Sequence, residues 1–381
     1  MMTYNIRTLQ IGSSWFPEHS GGLERYYFDL IQYLPSQNIQ SRGQVIGTNA
    51  VEKNTNNQVR AFSQKNLPLW QRLYNARVAT KELINEFNPD LVCVHFALYG
   101  FPASDLLSRQ ALVVHFHGPW AQETAVENGK NRSAIKYYIE KTVYRKANKL
   151  IVLSEAFKEI LIKDYRIQAD KISVVPGAID TEKFNITIGK IEAREKLGWP
   201  TDRPIIFVVR RLSRRMGLEN LLIALKDVRK KFPDVLLMLA GKGNMANELA
   251  KSADEMGLKN NIRFLGFVPD DNLSMAYRAA DFTVVPSTSL EGFGLITAES
   301  MATGTPVLVT PVGGLPEIIK PFNPEWITRD IGSKAISESI ISILSGTTKM
   351  PSPESCQVYA NRYDWKAVTP KISAIYREAI S

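Results

Sequence analysis

The sequence contains few of the residues that form disulfide cross-links or metal centres. Its 381 residues include two cysteines and four histidines. Cys93 and Cys356 lie far apart and neither belongs to a metal-binding spacing, so we expect two free thiols in a reducing cytoplasm. The sequence also has no Asp-x-Asp triplet and no group of histidines and carboxylates at metal-ligand spacing. No metal or other cofactor is therefore expected.

Long apolar runs and biased tracts are also missing. Stretches such as Val235–Ala240 and Leu150–Leu153 are much shorter than the roughly 18 residues that a membrane-spanning helix needs. Met1–Leu9 has the pattern of a strand and not that of a signal peptide. Without repeats or low-complexity segments, a chain with 44% hydrophobic and 22% charged residues is typical of globular proteins, and its length favours two domains.

The net charge of +9 is spread over both halves of the chain, which disfavours a nucleic-acid-binding role. One segment, residues 130–149, is an exception, with a single acid, Glu140. Its basic residues are Lys130, Arg132, Lys136, Lys141, Arg145, Lys146 and Lys149. Apolar residues recur there at helical spacing, which predicts a basic amphipathic helix. It is either a packed helix with a solvated basic face or a surface that contacts anionic membrane lipid or a lipid-linked acceptor peripherally.

Short β-branched runs alternate with amphipathic helical patterns along the whole chain, which is typical of α/β proteins with parallel sheets. We predict two doubly wound, Rossmann-like domains, over residues 1–185 and 186–362. The helical segment within 363–381 is predicted to cross back onto the first domain. The predicted strands are Ile6–Ile11, Gln44–Gly47, Leu91–His95, Leu112–His117, Leu150–Leu153 and Ile172–Val175, then Ile205–Val209, Val235–Ala240, Ile262–Phe264, Phe282–Val285 and Val307–Val309.

Ligands of such sheets gather at the carboxyl ends of strands, and several polar or glycine-rich segments lie there. Gly21 and Gly22 follow the first strand and open a helix, where they form either an anion site or a plain turn. His117 ends the fourth strand beside Gly118, which makes it a candidate functional residue, whereas His115 is expected to be structural.

Four arginines follow the first strand of the second half, at positions 210, 211, 214 and 215. Guanidinium groups beside a helix amino terminus suit a diphosphate and can neutralise it without a metal. A solvated basic loop is the alternative. Gly241, after the next strand, is predicted to line the same pocket with its backbone.

The strongest local signal is the segment from Glu291 to Glu299, with Gly292, Phe293, Gly294 and Leu295 between them. Its glycines allow a tight loop, and a helix beginning near Leu295 directs its positive end at a ligand. The two carboxylates, Glu291 and Glu299, suit the hydroxyl groups of sugar rings.

These residues resemble the retaining GT-B glycosyltransferases of family 4, also called group 1, over nearly the whole chain. The resemblance rests on EGFG-x-x-x-x-E, followed by GTPV and GGLPE. It implies two Rossmann-like domains that face each other across a deep cleft. It also implies that Glu291 contacts the donor hexose, Glu299 the nucleotide ribose and His117 the sugar.

The resemblance further implies that Gly21 and Gly22 close on the phosphates and that the segment around Val268 forms the base pocket. In the family, an arginine matched by Arg211 grips the diphosphate together with a lysine five residues later. Here Met216 stands at that position, and we expect Arg215 to supply the missing charge.

The expected reaction is therefore metal-independent transfer of a hexose, with glucose from UDP-glucose expected on family grounds, to a saccharide or glycolipid acceptor in polysaccharide or glycoconjugate synthesis. We expect attack from the face of the leaving group, with retention of configuration, after closure of the two domains. Two alternatives stay open: a sugar-nucleotide-binding protein that has lost transfer, suggested by Met216, and an inverting transferase of the same architecture.

Overall fold

The computed structural model describes residues 6–129 and 133–381, and the chain forms two compact units. The first contains Met1–Ala178 together with Trp365–Ser381, and the second contains Ile179–Asp364. The first unit ends at Ala178, whereas the predicted boundary is at residue 185, and the second unit ends at Asp364, whereas the predicted boundary is at residue 362.

The first unit is built on a parallel sheet whose strands lie in the order β3-β2-β1-β4-β5-β6-β7. The strands are β1 Ile6–Ser14, β2 Ile39–Ile46, β3 Val59–Ser63, β4 Leu91–Val94, β5 Ala111–Phe116, β6 Lys149–Val152 and β7 Ile172–Val174. The helices are α1 Gly22–Tyr33, α2 Ala50–Asn54, α3 Leu69–Phe87, α4 Ala97–Gly100, α5 Ser104–Leu107, α6 Trp120–Asn128, α7 Ala134–Lys146 and α8 Glu155–Lys163.

All predicted strands of this unit are confirmed, but the sequence analysis missed β3. This strand is short, carries Arg60 between apolar residues, and lies at the edge of the sheet, where only one neighbour pairs with it. An edge strand needs less apolar sequence than a central one, so its pattern is weak.

The second unit has a parallel sheet in the order β10-β9-β8-β11-β12. The strands are β8 Ile205–Val209, β9 Leu236–Ala240, β10 Ile262–Gly266, β11 Phe282–Val285 and β12 Val307–Val309. The helices are α9 Thr181–Phe184, α10 Lys190–Leu197, α11 Leu218–Lys231, α12 Ala246–Glu255, α13 Asp270–Ala279, α14 Leu295–Ala302, α15 Leu315–Ile319, α16 Ser333–Leu344 and α17 Pro353–Ala360.

The last helix, α18 (Trp365–Ile380), belongs to the first unit. Its buried face includes Trp365, Ile372 and Tyr376, which share one core cluster with Tyr26 and Leu30 of α1. The apolar residues recur every three to four positions, so one face of the helix is apolar and packs inward.

Each sheet changes the direction of its strand order at one point, between β1 and β4 in the first unit and between β8 and β11 in the second. At such a point the connections on the two sides run to opposite faces of the sheet and leave a crevice at the carboxyl ends of the strands. The candidate residues of both units lie at these two crevices.

Candidate functional site

Arg210 and Glu291 meet at the crevice of the second unit. Arg210 directly follows β8, and Glu291 lies in the loop after β11. Arg210 Nη2 donates to Glu291 Oε2 at 2.5 Å, and Ser287 Oγ donates to the same oxygen at 2.9 Å. Within the described residues, both bonds end on Oε2, which leaves Oε1 for a ligand.

The charge state of Glu291 follows from these neighbours. Burial acts to raise the pKa of its carboxyl group, but the charge and hydrogen bond of Arg210, aided by the charge of Arg215, outweigh burial and leave the pKa below its ordinary value. Glu291 is therefore an ionised acceptor at neutral pH, as a contact to sugar hydroxyls requires.

The guanidinium of Arg210 has two further features. Nη2 also contacts Met216 Sδ, and Nη1 is buried without a hydrogen-bond partner among the described residues. A buried donor left without a partner costs about 1–3 kcal/mol. An oxygen acceptor placed beside Nη1 would satisfy this donor.

Arg215 contacts the loop that carries Glu291, and its predicted role at the diphosphate stays a prediction. Its Nη1 donates to the carbonyl oxygen of Leu290 at 3.1 Å, and its own carbonyl accepts from Thr288 N at 2.9 Å. Leu290 has φ of 52°, a left-handed conformation that costs a non-glycine residue roughly 1–2 kcal/mol. Arg215 thus secures the strained residue that precedes Glu291.

Two glycines let the backbone approach Arg210 and Glu291 closely. Gly241 has φ of 134°, and a Cβ at this position would lie 1.7 Å from the carbonyl oxygen of Arg210. Gly313 has φ of 56°, and its Cβ would lie 1.9 Å from the carbonyl oxygen of Glu291. Gly241, predicted to line the pocket, therefore has a structural reason to be glycine.

Glu299 lies inside α14 and is 4% exposed. Tyr277 donates its hydroxyl to Glu299 Oε2 at 2.8 Å and so fixes the carboxylate. The helix begins at Leu295, directly after Gly294 in a left-handed conformation. Its amino terminus and Glu291 belong to the same loop, as the sequence predicts.

Not every predicted residue of this loop offers a side chain to a ligand. Phe293 is 3% exposed, and its ring packs against Tyr363 with the centroids 5.2 Å apart. Gly292 is buried as well. These residues can meet a ligand only through their backbone, and Phe293 anchors the loop.

The predicted diphosphate and base contacts lie along the same edge of the sheet. Arg211, one residue after Arg210, is exposed. Val268 is half-buried, and its neighbour Phe267 is 51% exposed, with Lys242 Nζ 5.3 Å from the ring centroid. An exposed aromatic ring beside a cation suits a nucleobase, and the base pocket at this position stays a prediction.

In the first unit, His117 lies at the carboxyl end of β5 and contacts a histidine that the sequence analysis did not single out. His95, after β4, has its Nδ1 3.3 Å from His117 Nε2 and its Nε2 2.8 Å from Gln10 Oε1. His95 lies at the end of a strand next to the point where the strand order of the sheet reverses. This position could have identified it as a candidate from the sequence.

His115 has the structural role that was predicted. Its Nε2 lies 2.7 Å from the hydroxyl of Tyr376, and its Nδ1 lies 3.3 Å from that of Tyr26. Burial lowers the pKa of His117 to about 3 and lowers the pKa of His95 and His115 well below the ordinary value. All three imidazoles are therefore neutral at pH 7.

Gly21 and Gly22 lie at the start of α1, with Gly22 as its first residue. The same helix carries Tyr26, whose ring centroid lies 4.8 Å from that of His117. The structure thus places the glycine pair on the element that packs against His117. Their role at a phosphate stays a prediction.

Glu140, noted in the sequence only as the one acid of the basic segment, holds the turn after His117. Its carboxylate accepts from the backbone N–H groups of Trp120 and Ala121 at 2.8 and 3.2 Å. It also accepts from the hydroxyls of Tyr165 and Tyr144 at 2.7 and 3.2 Å. Burial is the largest influence and raises the pKa of Glu140 to about 7.

Most of the basic segment 130–149 forms α7 (Ala134–Lys146), whereas Lys149 begins β6, and Lys130 and Arg132 lie outside the described residues. Ile139 and Val143 are buried, but Ile135 is 76% exposed and Tyr138 is 63% exposed. The helix therefore packs through Ile139 and Val143 and exposes Ile135 and Tyr138, and the choice between a solvated basic face and a lipid-contacting surface stays a prediction.

The structure describes residues 6–129 and 133–381. In these ranges no three His, Cys, Asp or Glu side chains come together in a way that could hold a metal ion. In the same ranges no helix has the length and apolar character needed to cross a membrane. Metal independence stays a prediction. Cys93 and Cys356 are buried free thiols, as predicted.

Two family models together match most of the chain. One, described as glycosyltransferase family 4, matches residues 20–183, and the other, described as glycosyl transferases group 1, matches residues 189–362. An uncharacterised glycosyltransferase of Methanocaldococcus jannaschii is 30% identical over 243 residues, which are 61% of this chain. The match spans 60% of that relative's length.

Solved structures show the same fold at low identity. Sucrose-phosphate synthase of Thermosynechococcus elongatus has a TM-score of 0.81 at 21% identity, over 98% of each chain. HepE of Anabaena, solved in complex with UDP-glucose, has a TM-score of 0.79 at 22% identity, over 98% of this chain and all of its own. The two Rossmann-like units are thus those of the GT-B fold.

Proposed function

The chain belongs to the family 4, or group 1, glycosyltransferases, and on this basis we propose that it transfers a hexose from a UDP-sugar to a saccharide or glycolipid acceptor. The observation that carries the proposal is the buried pair of Arg210 and Glu291 in the same loop region as Glu299. The pair combines an ionised acceptor for sugar hydroxyls with a cation for phosphate.

The donor is UDP-glucose in this proposal. Two observations support this choice. The EGFG-x-x-x-x-E segment resembles that of the family, and HepE, which has the same fold, was solved in complex with UDP-glucose. Glu291 takes the hexose, Glu299 the ribose, and the loop around Val268 the base, as the resemblance implies.

The chemical step breaks the bond between the anomeric carbon and the diphosphate oxygen. We propose that the acceptor hydroxyl attacks from the same face, so that configuration is retained, and that the departing phosphate oxygen takes the hydroxyl proton. The negative charge that develops on the diphosphate needs donors already in place, and guanidinium groups with the amino terminus of α14 supply them. His117 keeps the sugar-contacting role implied by the resemblance.

The acceptor side is proposed from the first unit. Two exposed apolar side chains, Ile135 and Tyr138, lie on α7 with Lys141 and Arg145, an arrangement that suits a peripheral contact with anionic lipid. The proposal is therefore a cytoplasmic enzyme that contacts the inner membrane face and builds a polysaccharide or glycoconjugate there.

The first test is a thermal-shift measurement with UDP, ADP and GDP and with UDP-linked sugars, since a ligand that binds the native state raises the transition temperature. Transfer is then followed by NMR, which also gives the anomer of the product. Glu291→Gln is expected to reduce transfer by about 100-fold or more, whereas Glu255→Gln, at an exposed position of the same unit, is expected to have little effect.

Three results would contradict the proposal. They are the absence of any shift with every sugar nucleotide, near wild-type transfer by Glu291→Gln, and a product of opposite anomeric configuration, which would indicate an inverting enzyme. A strict requirement for added divalent metal after EDTA treatment would contradict the metal-independent step.

A second candidate is a sugar-nucleotide-binding protein without transferase activity. Met216, at the position of the family's lysine, is the observation that favours it. Donor binding without transfer to any member of an acceptor panel, and without slow donor hydrolysis, would support this candidate.

A further inference from the structure

We infer that Arg210 replaces the missing lysine and holds an oxygen of the donor diphosphate through Nη1, while Nη2 keeps Glu291 in place. This inference rests on the proposed function and concerns its donor site. It assigns to Arg210 the charge that the sequence analysis assigned to Arg215.

Arg210 lies next to the residue that departs from the family pattern. The guanidinium of Arg210 lies against Met216 Sδ, so a cation occupies the space beside the residue that departs from the family pattern. Met216 is buried at 6% exposure and contributes an apolar, polarisable surface against which the guanidinium packs. The charge missing from position 216 is therefore present in the same place, carried by a different residue.

Arg210 also has a hydrogen-bond donor that no described residue accepts. The side chain of Arg210 is 6% exposed, and its Nη1 is buried with no partner among the described residues, although the same guanidinium makes an ion pair through Nη2. A guanidinium presents its N–H groups as a fixed fork, so one arm can hold a carboxylate while the other meets a phosphate oxygen. A buried donor without a partner is stabilised once such an oxygen arrives.

Arg215 makes different contacts. Its Nη1 donates to the carbonyl oxygen of Leu290, and its backbone carbonyl accepts from both the N–H and the hydroxyl of Thr288. These contacts fix the loop that carries Glu291. The charge of Arg215 lowers the pKa of Glu291, whereas a buried N–H group without a hydrogen-bond partner among the described residues belongs to Arg210.

The experiment measures the affinity for UDP and for uridine by calorimetry in the full-length protein. Arg210→Met is expected to weaken UDP binding by about 10- to 100-fold, because a charge-assisted hydrogen bond is lost, and to leave uridine binding unchanged, since uridine has no phosphate. Arg210→Ala combined with Met216→Lys restores a cation at the family position and is expected to bind UDP within about threefold of the wild type. Arg329→Met, at an exposed arginine of the same unit, is the matched control.

The outcomes separate this inference from the proposed function. If the wild type binds no nucleoside diphosphate, the proposed function fails. If the wild type binds UDP and Arg210→Met binds it equally well, the inference is wrong. It is also wrong if Arg210→Met weakens the binding of uridine as much as the binding of UDP. The inference is also wrong if Arg210→Met binds UDP as tightly as the wild type but binds a UDP-sugar with a carboxylate on the sugar more weakly. Nη1 would then contact the sugar and not the diphosphate. The double variant keeps the test decisive if Arg210→Met alone does not fold.

Discussion

The guanidinium of Arg210 and the carboxylate of Glu291 form a buried ion pair whose side chains are 6% and 13% exposed. In this environment neither charge is well hydrated, so each depends on the other for its stability. The pair joins the end of β8 to the loop after β11 and so crosses the crevice of the second sheet. Removal of either partner is expected to alter both the conformation and the charge of the loop that carries Glu291.

Arg210→Met should make the stability of the second unit depend on pH in the opposite sense to the wild type. In the wild type the pKa of Glu291 is lowered, so its contribution is present above the ordinary pKa of 4.5 and is lost as pH falls below it. Without Arg210, burial raises the pKa of Glu291, and stability is lost as pH rises through that raised value.

Hydrogen exchange of the second unit, followed by mass spectrometry between pH 4.5 and 8, measures this difference. The difference in free energy of unfolding between the wild type and Arg210→Met should increase as pH rises, towards about 3–5 kcal/mol. In the double variant Arg210→Met, Glu291→Gln, this difference in free energy of unfolding should no longer depend on pH. A difference in stability that stays constant over this range would contradict the effect of Arg210 on the pKa of Glu291.

Gly241→Ala and Gly313→Ala should both damage the donor site. Each new Cβ would lie less than 2 Å from the carbonyl oxygen of Arg210 or of Glu291, and both glycines have positive φ. The backbone must move, so we expect a loss of about 2 kcal/mol or more and weaker UDP binding. Gly189→Ala is the matched control, since no atom lies within 4 Å of its Cβ position. Equal transition temperatures for the three variants would contradict the close approach.

Acid should destabilise the first unit more than the second. All four histidines of the sequence lie in the first unit, and burial lowers the pKa of His95, His115 and His117. The unfolded chain binds protons below about pH 6.5 that the folded imidazoles do not bind, so stability falls as pH falls from 7 to 5. Each histidine contributes up to about 2 kcal/mol to that fall.

Hydrogen exchange at pH 5 and 7 compares the two units directly. The loss of protection should be concentrated in the first unit and should be smaller in His95→Gln, which cannot take up a proton. If both units lose protection equally, the histidines are not the cause.

Glu140→Ala should unfold the turn that follows His117. Two backbone N–H groups and two tyrosine hydroxyls lose their acceptor, which should cost about 3 kcal/mol or more. Exchange in α6 should increase first, because Trp120 and Ala121 begin that helix. Glu82→Ala removes a half-exposed partner of Arg60 and should change stability by less than about 1 kcal/mol. Similar effects of the two variants would contradict the role given to Glu140.

Binding to vesicles should depend on the exposed side chains of α7. Ile135→Ser together with Tyr138→Ser should reduce co-sedimentation with vesicles that contain anionic phospholipid, because the apolar contact is lost. Val358→Ser, at a site 71% exposed in the second unit, provides the control. Wild-type protein that stays in solution with anionic and neutral vesicles alike would contradict the membrane contact.

Much of the fold could be predicted from local pattern. The strands of both sheets appear as short apolar runs, because a parallel strand is buried on both faces and needs continuous apolar sequence. The edge strand Val59–Ser63 was missed because it lacks this requirement. The loop from Glu291 to Glu299 was also identifiable, since its glycines and carboxylates lie close together in the sequence.

The sequence by itself determined the α/β class, the positions of the central strands and the motif that places the chain in its family, because each of these depends on neighbouring residues. Only the tertiary structure decided which arginine faces Glu291, and which residues hold His117 and the turn that follows it. Arg210, Arg211 and Arg215 are chemically equal in the sequence. Their directions follow from backbone contacts such as that of Gly241 with Arg210, which join segments far apart in the chain.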